Sequence, residues 1–223
     1  MKDMTMRKDR VAFRPKSDSR FLRLSGLAFL LSLIAVPAHA GCTDHILAAE
    51  KENNIPSGML LAVSLVESGG GGSPNPYIMN VRGRAVVPKS EAEAARYLRD
   101  NKGNLRGSVY AGCMQLSLTH HKQAFRPVEK IVNPEENVRY AARYLVQLRR
   151  EVGSWAGAVV RYNGASGQKA AAYQCKVRQQ LVSLGADSSA ALIGTPGCDS
   201  VDMPSVAPRT RRAFENHENT PVG

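Results

Sequence analysis

The chain has 223 residues, a length that predicts one domain with extra segments at its ends. Its 30 Lys and Arg residues against 19 Asp and Glu give a formal net charge of +11. This charge favours an anionic polymer or a membrane surface as partner, although it would also serve plain solubility. The sequence has no recognisable nucleic-acid-binding motif and no cysteine pair with zinc-ligand spacing, so neither nucleic acid nor zinc is expected.

Residues 1–40 have the layout of a secretory signal peptide. A basic start is followed by an apolar stretch at 26–36, too short to span a membrane, and by the small-x-small cleavage site Ala38-His39-Ala40. Cys42 just past this site also allows a lipoprotein, but His39 stands where a lipobox has an aliphatic residue. Cleavage after Ala40 removes eight basic and three acidic residues and leaves a net charge of +6. We expect a periplasmic protein with no stable membrane span after cleavage.

The first half of the remaining chain predicts helices around a small β-hairpin. Capping residues, apolar runs and turn residues mark the boundaries of each element. The predicted elements are a helix from Thr43 or Asp44 to about Asn53, an apolar helix from Pro56-Ser57 to Glu67, a hairpin within 77–87 that turns near Arg82-Gly83, and a helix from Ser90 to about Asn101.

The second half predicts three further helices. In the first of them, Val138, Ala141, Leu145 and Leu148 have the spacing of one buried helical face. These helices run from Asn133 to Val152, from Ser154 to about Tyr162, and from Ser166 to about Leu184. The whole is expected to be a mainly α domain over 41–185. The extension 186–223 is expected to be largely disordered, because residues 200–223 are polar and have no periodicity.

Glu67 stands out because it ends the apolar run that begins at Met59 and is followed by Ser68 and four glycines. A carboxylate in the last turn of a helix faces the negative end of the helix dipole, which is unfavourable by roughly 0.3–1 kcal/mol. Apolar neighbours penalise the charged form as well. Both effects raise the pKa of the carboxyl, as a general acid requires near neutral pH.

All four cysteines lie outside the predicted signal peptide, and an oxidising compartment favours disulfides. Cys113 lies inside the sequence Gly-Cys-Met-Gln and is expected to be a buried free thiol. One disulfide is then expected among Cys42, Cys175 and Cys198.

Four sequence pieces occur in a characteristic order. They are Glu67-Ser68 after an apolar helix, Gly112-Cys113-Met114-Gln115, Asn137 leading into Tyr140-Ala141-Ala142-Arg143-Tyr144-Leu145, and Arg161-Tyr162-Asn163-Gly164 after Trp155. Together they resemble the signatures of the soluble lytic transglycosylases, whose domain has the goose-type lysozyme fold. The resemblance covers roughly residues 43–183. It implies a lysozyme-like helical domain with a small β-hairpin insertion, no cofactor and no metal.

The resemblance also implies the substrate and the reaction. The enzymes of this family cut the β-1,4 bond between N-acetylmuramic acid and N-acetylglucosamine in peptidoglycan. The muramyl 6-hydroxyl attacks its own anomeric carbon, so that a 1,6-anhydro product forms without water. One carboxyl can serve first as acid and then as base, whereas most glycosidases use two.

Roles for individual residues follow from the same resemblance. Glu67 would be the catalytic acid and base, and Tyr162 would support it through a hydrogen bond to its carboxyl. Ser68, which would fix the end of the catalytic helix, is grouped with Met114, Gln115 and Asn163 as substrate-binding residues. The stretch between Glu67 and Gln115 is longer than in compact members and is expected to wall the cleft, with Tyr77, Arg82 and Arg84 as candidate contacts for the glycan or its peptides.

Several alternatives remain open from the sequence. A lysozyme that uses water would leave a reducing end, and a non-catalytic peptidoglycan-binding or assembly factor would release no product. A flagellar or secretion machine is a further candidate partner, with the tail at 200–223 as its docking segment. The row Tyr140, Tyr144 and Leu148 is interpreted as core, and His120-His121 as surface or cap residues.

Overall fold

The computed structural model describes residues 41–192, 198 and 205–220. The predicted signal peptide therefore lies outside the described residues. The helices are α1 (Cys42–Glu52), α2 (Met59–Ser68), α3 (Glu91–Arg96), the single turn α4 (Leu118–His121), α5 (Pro134–Val152), α6 (Trp155–Asn163), α7 (Gly167–Leu184) and α8 (Pro208–Glu218). Short 3-10 helices cover Lys122–Ala124, Val128–Val132 and Asp187–Leu192. None of the helices in the described ranges is long and apolar enough to cross a membrane.

Helix α2 is the central helix of the domain. Met59 to Leu65 are at most 3% exposed, because nearly every residue of this stretch is apolar. A helix that is apolar all round has to be buried. Helices α1 and α7 pack directly against it. The predicted apolar helix is thus confirmed, although it begins at Met59, two residues after Ser57.

Helix α5 confirms the predicted amphipathic helix. Asn133 caps it by accepting a hydrogen bond from the backbone N–H of Glu136, and Pro134 occupies its first turn. The predicted face is buried from Val138 to Leu148 and packs against α1 and α6. Helices α6 and α7 also follow their predicted bounds closely.

The predicted hairpin is part of a larger antiparallel sheet. Strands β1 (Met79–Val81) and β2 (Arg84–Val86) turn at Arg82-Gly83, as predicted. Strands β3 (Val109–Ala111) and β4 (Leu116–Ser117) extend the sheet in the order β2-β1-β3-β4. The predicted helix at 90–101 is shorter than expected, since α3 ends at Arg96. The mainly α, lysozyme-like fold class with a small β element is confirmed.

The predicted free thiol at Cys113 is wrong. Cys113 forms a disulfide with Cys42 at the start of α1, and Cys175 forms a second disulfide with Cys198. The first bridge joins residues 71 positions apart, because α1 lies beside the turn between β3 and β4. It therefore connects the first helix of the domain to the Gly-Cys-Met-Gln sequence.

The prediction of a disordered tail is wrong for residues 205–220. Helix α8 buries Thr210 and Phe214, and Val206 just before it is 5% exposed. Phe214 and Val206 belong to the same hydrophobic core as α2. The backbone N–H of Ala207 also donates to the carbonyl of Gly72 over 2.8 Å. This segment is thus docked on the loop that follows Glu67.

Candidate active site

Glu67 lies in the last turn of α2, where the end of the apolar run places it. The residue is half-buried, and its Oε1 accepts a hydrogen bond of 2.7 Å from the hydroxyl of Tyr173 in α7. Burial raises the pKa of the Glu67 carboxyl to about 7, against the opposing effect of hydrogen bonding from Tyr173 and Asn163. A carboxyl with this pKa is divided between its two protonation states near neutral pH.

Tyr162 does not form the predicted hydrogen bond to Glu67. Its hydroxyl donates instead to the backbone carbonyl of Met114 over 2.8 Å. Tyr162 is still near enough to the acid to feel its charge. The pKa of its phenol is raised well above the usual range, mainly by burial and then by the charge of Glu67.

Tyr173, which bonds the carboxyl, was missed from the sequence. It belongs to none of the four motifs, and its one signal is that it is the only aromatic residue of α7.

Ser68 is buried and its hydroxyl is used within the protein. The hydroxyls of Ser64 and Ser68 both lie 2.8 Å from the carbonyl of Cys113, to which they donate, and Ser68 Oγ accepts from the backbone N–H of Asn75. These bonds tie the C-terminal end of α2 to the turn between β3 and β4. Ser68 thus fixes the end of the helix, and its hydroxyl is not free for substrate.

The turn Gly112–Gln115 between β3 and β4 is held by Asn137 of α5. The fully buried Asn137 amide donates to the carbonyls of Ala111 and Ile131, and its Oδ1 accepts from the backbone N–H of Met114 over 2.9 Å. A Cβ atom on Gly112 would lie 2.8 Å from Asn137 Nδ2, and Gly112 has a φ of +78°. Glycine is needed at this position for both reasons.

The turn places the two predicted substrate residues Met114 and Gln115 in different surroundings. Met114 is fully buried, so its side chain cannot reach a substrate. Gln115 has a φ of +46°, and its Nε2 donates to the carbonyls of Ile78 and Gly112. Its Oε1 forms no hydrogen bond with the described residues. Gln115 therefore keeps an acceptor that a sugar hydroxyl could use.

A cleft of about 620 Å³ lies beside these residues. Tyr110, Tyr140 and Tyr144 give it aromatic surface, and Gln115, Tyr162 and Asn163 also line it. Tyr140 and Tyr144 are half-buried and pack against the core, as the interpretation has it, but they also line the cleft, and Leu148 is buried as expected. His120 and His121 also line the cleft, and His121 Nδ1 is hydrogen-bonded with the Tyr140 hydroxyl.

Glu67 is not itself among the residues that line this cleft. Asn163 connects the two, because it lines the cleft and also interacts with the Glu67 carboxyl. None of the described residues that line the cleft is Asp or Glu.

Within the described ranges, no group of three or more His, Cys, Asp or Glu residues has an arrangement that could hold a metal ion. In the β insertion, the predicted glycan contacts Tyr77, Arg82 and Arg84 do not line this cleft. They also do not line a second concavity, which Ser68 and Gly70 line.

The family model described as "Transglycosylase SLT domain" matches residues 44–180, which is more than half of the chain. The chain belongs to the transglycosylase SLT family. All four sequence motifs and the whole cleft fall inside the SLT match, whereas α8 lies outside it. No curated protein and no solved structure matches the chain. SLT domains are associated with lytic activity on peptidoglycan, usually outside the cytoplasm.

Proposed function

We propose that this protein is an exported, periplasmic lytic transglycosylase that cleaves the MurNAc-β-1,4-GlcNAc bond and forms a 1,6-anhydromuramyl product. The observation that carries the proposal is a half-buried carboxyl, Glu67, which has a pKa of about 7 and interacts with Asn163 of the cleft. No Asp or Glu among the described residues lines the cleft itself. An enzyme that activates water normally needs two carboxylates across the scissile bond.

Glu67 supplies both proton transfers in this proposal. Its protonated carboxyl gives a proton to the oxygen that leaves with N-acetylglucosamine. The resulting carboxylate then takes the proton of the muramyl 6-hydroxyl as that oxygen bonds to the anomeric carbon. The carboxyl returns to its starting state and no water is consumed.

The surrounding residues position and tune this acid. Tyr173 orients the Glu67 carboxyl through its hydrogen bond. Tyr173 and Asn163 both keep the pKa of this carboxyl from rising further. Tyr162 acts one step away, since it holds the Met114 carbonyl and with it the turn that presents Gln115. Gln115 and Asn163 are the proposed substrate contacts. Ser68 and Met114 are positioning residues, because their side chains are buried.

The products of peptidoglycan digestion test the proposal. Purified protein should release muropeptides with 1,6-anhydro ends, which are lighter by one water than muropeptides with reducing ends. Mass spectrometry separates the two, and Glu67→Gln is the inactive control. Products with reducing ends would show a lysozyme, and binding without release of muropeptides would show a non-catalytic factor. Either result would refute the proposed reaction.

Tyr173→Phe should move the alkaline limb of the pH–rate profile to higher pH. The Tyr173 hydroxyl stabilises the ionised form of Glu67, so its loss should raise the pKa of Glu67 and keep the acid protonated at higher pH. We expect a shift of roughly half a unit to one unit in the profile of kcat/KM.

Tyr162→Phe is the matched control for this shift. It removes a hydroxyl that bonds the Met114 carbonyl and not the carboxyl of Glu67. This variant should lose rate through a looser turn, with the alkaline limb nearly in place. An unchanged limb in Tyr173→Phe, or a larger shift in Tyr162→Phe, would contradict the assignment of Tyr173 as the partner of the acid.

A further inference from the structure

A second concavity, here called the groove, is lined by Ser68, the residue that follows Glu67. It has a volume of about 380 Å³ and shares none of its described lining residues with the cleft. Ser68, Gly70, Gly71, Asn75, Val87 and Arg209 are among the residues that line it. Glu67 is thus connected to both concavities, since the next residue, Ser68, lines the groove and Asn163, which interacts with its carboxyl, lines the cleft.

The segment 205–210 is built onto the loop that forms one side of this groove. Ala207 donates from its backbone to the carbonyl of Gly72, and the hydroxyls of Ser73 and Thr210 are 2.6 Å apart. A Cβ atom on Gly72 would lie 2.7 Å from the backbone nitrogen of Ala207, so the contact requires glycine. Phe214 is buried one helical turn further along. The backbone position of Arg209 is thus set by packing and by backbone hydrogen bonds, while its side chain is exposed.

Arg209 is the only charged residue among the described residues that line the groove. Its Nε donates to Ser73 Oγ over 3.2 Å, and its two terminal amino groups form no hydrogen bond with the described residues. None of the salt bridges within the described ranges includes it. Asp44 lies in a further cavity that Arg209 also lines. The Asp44 carboxylate accepts a hydrogen bond from the backbone N–H of Gly41 and forms no salt bridge with Arg209.

A guanidinium held in this way is suited to a carboxylate. Its remaining N–H donors form a planar fork that matches the two oxygens of a carboxylate group. The sugars of an intact peptidoglycan strand carry no charge, because they are N-acetylated and the lactyl carboxyl of each muramyl residue is amide-linked to its peptide, whereas the peptides themselves carry free carboxylates. A strand that lies across Glu67 would bring such a peptide to the groove.

We propose that Arg209 binds a carboxylate of the muramyl peptide and makes the enzyme prefer peptide-bearing over bare glycan. This inference rests on the proposed function. It assigns substrate preference to a residue outside the matched SLT span of 44–180. The groove then holds the peptide while the cleft holds sugars.

Arg209→Gln tests the proposal on two substrates, intact peptidoglycan sacculi and glycan strands that are stripped of their peptides by an amidase and then amidated at the lactyl carboxylates that the amidase frees. We expect kcat/KM to fall roughly tenfold on intact sacculi, the effect of one hydrogen-bonded charge, and less than twofold on stripped strands. Arg212→Gln is the matched control, because Arg212 is exposed on the same helix and does not line the groove. It should change neither rate.

Arg209→Lys separates charge from shape. It keeps the positive charge but loses the planar fork, so we expect a loss on intact sacculi smaller than that of Arg209→Gln. Equal losses of Arg209→Gln on both substrates would overturn the proposal and show a structural role. Unchanged rates on both would overturn it as well.

A binding measurement keeps this proposal separate from the proposed reaction. In the Glu67→Gln background, sedimentation with intact sacculi measures affinity without cleavage. Adding Arg209→Gln should weaken this binding roughly tenfold and leave binding to stripped strands unchanged. If the wild type cleaves neither substrate, the proposed reaction fails, and this measurement still decides whether Arg209 recognises the peptide.

Discussion

Glu67→Gln should reduce glycan cleavage by roughly three to four orders of magnitude, the range expected for loss of a general acid and base. The amide has the same size as the carboxyl and its oxygen can still accept the hydrogen bond from Tyr173. Its amide group cannot donate a proton to a leaving oxygen. Release of muropeptides from sacculi, followed over time, measures the loss, and near-normal release would refute the role of Glu67.

Glu50→Gln is a sharp control for this variant. Burial raises the pKa of Glu50 to about 7 as well. Glu50 belongs to α1, however, and its carboxyl contacts the start of α2, at the end opposite to Glu67 and outside the cleft. Its two carboxylate oxygens accept from the backbone N–H groups of Gly58 and Leu61, each over 2.9 Å. Replacing one oxygen by an amide nitrogen should remove one of these two hydrogen bonds and leave the rate of cleavage intact.

Glu67→Gln should also make the protein more stable above neutral pH. The folded-state pKa of Glu67 is raised from 4.5 to about 7, so the wild type loses stability as pH rises through this interval. Below 4.5 the carboxyl is protonated in both folded and unfolded states, and the variant gains nothing. At pH 8 the gain should approach about 3 kcal/mol, measured by denaturant unfolding at both pH values.

Loss of the Cys42–Cys113 disulfide should lower the free energy of unfolding by roughly 4 kcal/mol, the value expected for a closed loop of this length. The double variant Cys42→Ala, Cys113→Ala tests this in denaturant titrations. It should also lower activity, because the Cys113 carbonyl accepts from Ser64 and Ser68 at the end of α2.

The matched control is the double variant Cys175→Ala, Cys198→Ala. This bridge closes a shorter loop, with a sequence separation of 23, and includes no residue of the Gly112–Gln115 turn. We expect a smaller loss of stability, about 3 kcal/mol, and little change in the rate of cleavage. Equal stability of the wild type and the Cys42–Cys113 variant would contradict a structural role for that bridge.

The sequence predicted the elements whose signals are local. The apolar run of α2, the capped face of α5 and the Arg82-Gly83 turn all appear where their patterns place them. Strands β3 and β4 were missed because strands of two or three residues are too short to show alternation. They exist because β3 pairs with β1 and the Gly112 turn brings β4 back onto β3.

The missed features of the site depend on contacts between distant residues. Nothing near Tyr173 or Cys113 in the sequence indicates the residue that each one meets, 106 and 71 positions away. Helix α8 did leave a signal, because Val206, Thr210 and Phe214 are spaced by four and all are buried. Its polar composition outweighed that pattern in the prediction of disorder.

Helix α2 is pinned at both ends, by the Glu50 carboxyl at its start and by the serine bonds to Cys113 at its finish. The helix therefore has little freedom to slide or rotate when a glycan strand arrives. An acid that is preorganised in this way avoids a reorganisation cost during the reaction. Binding free energy from the rest of the strand is then left to distort the sugar ring towards the transition state.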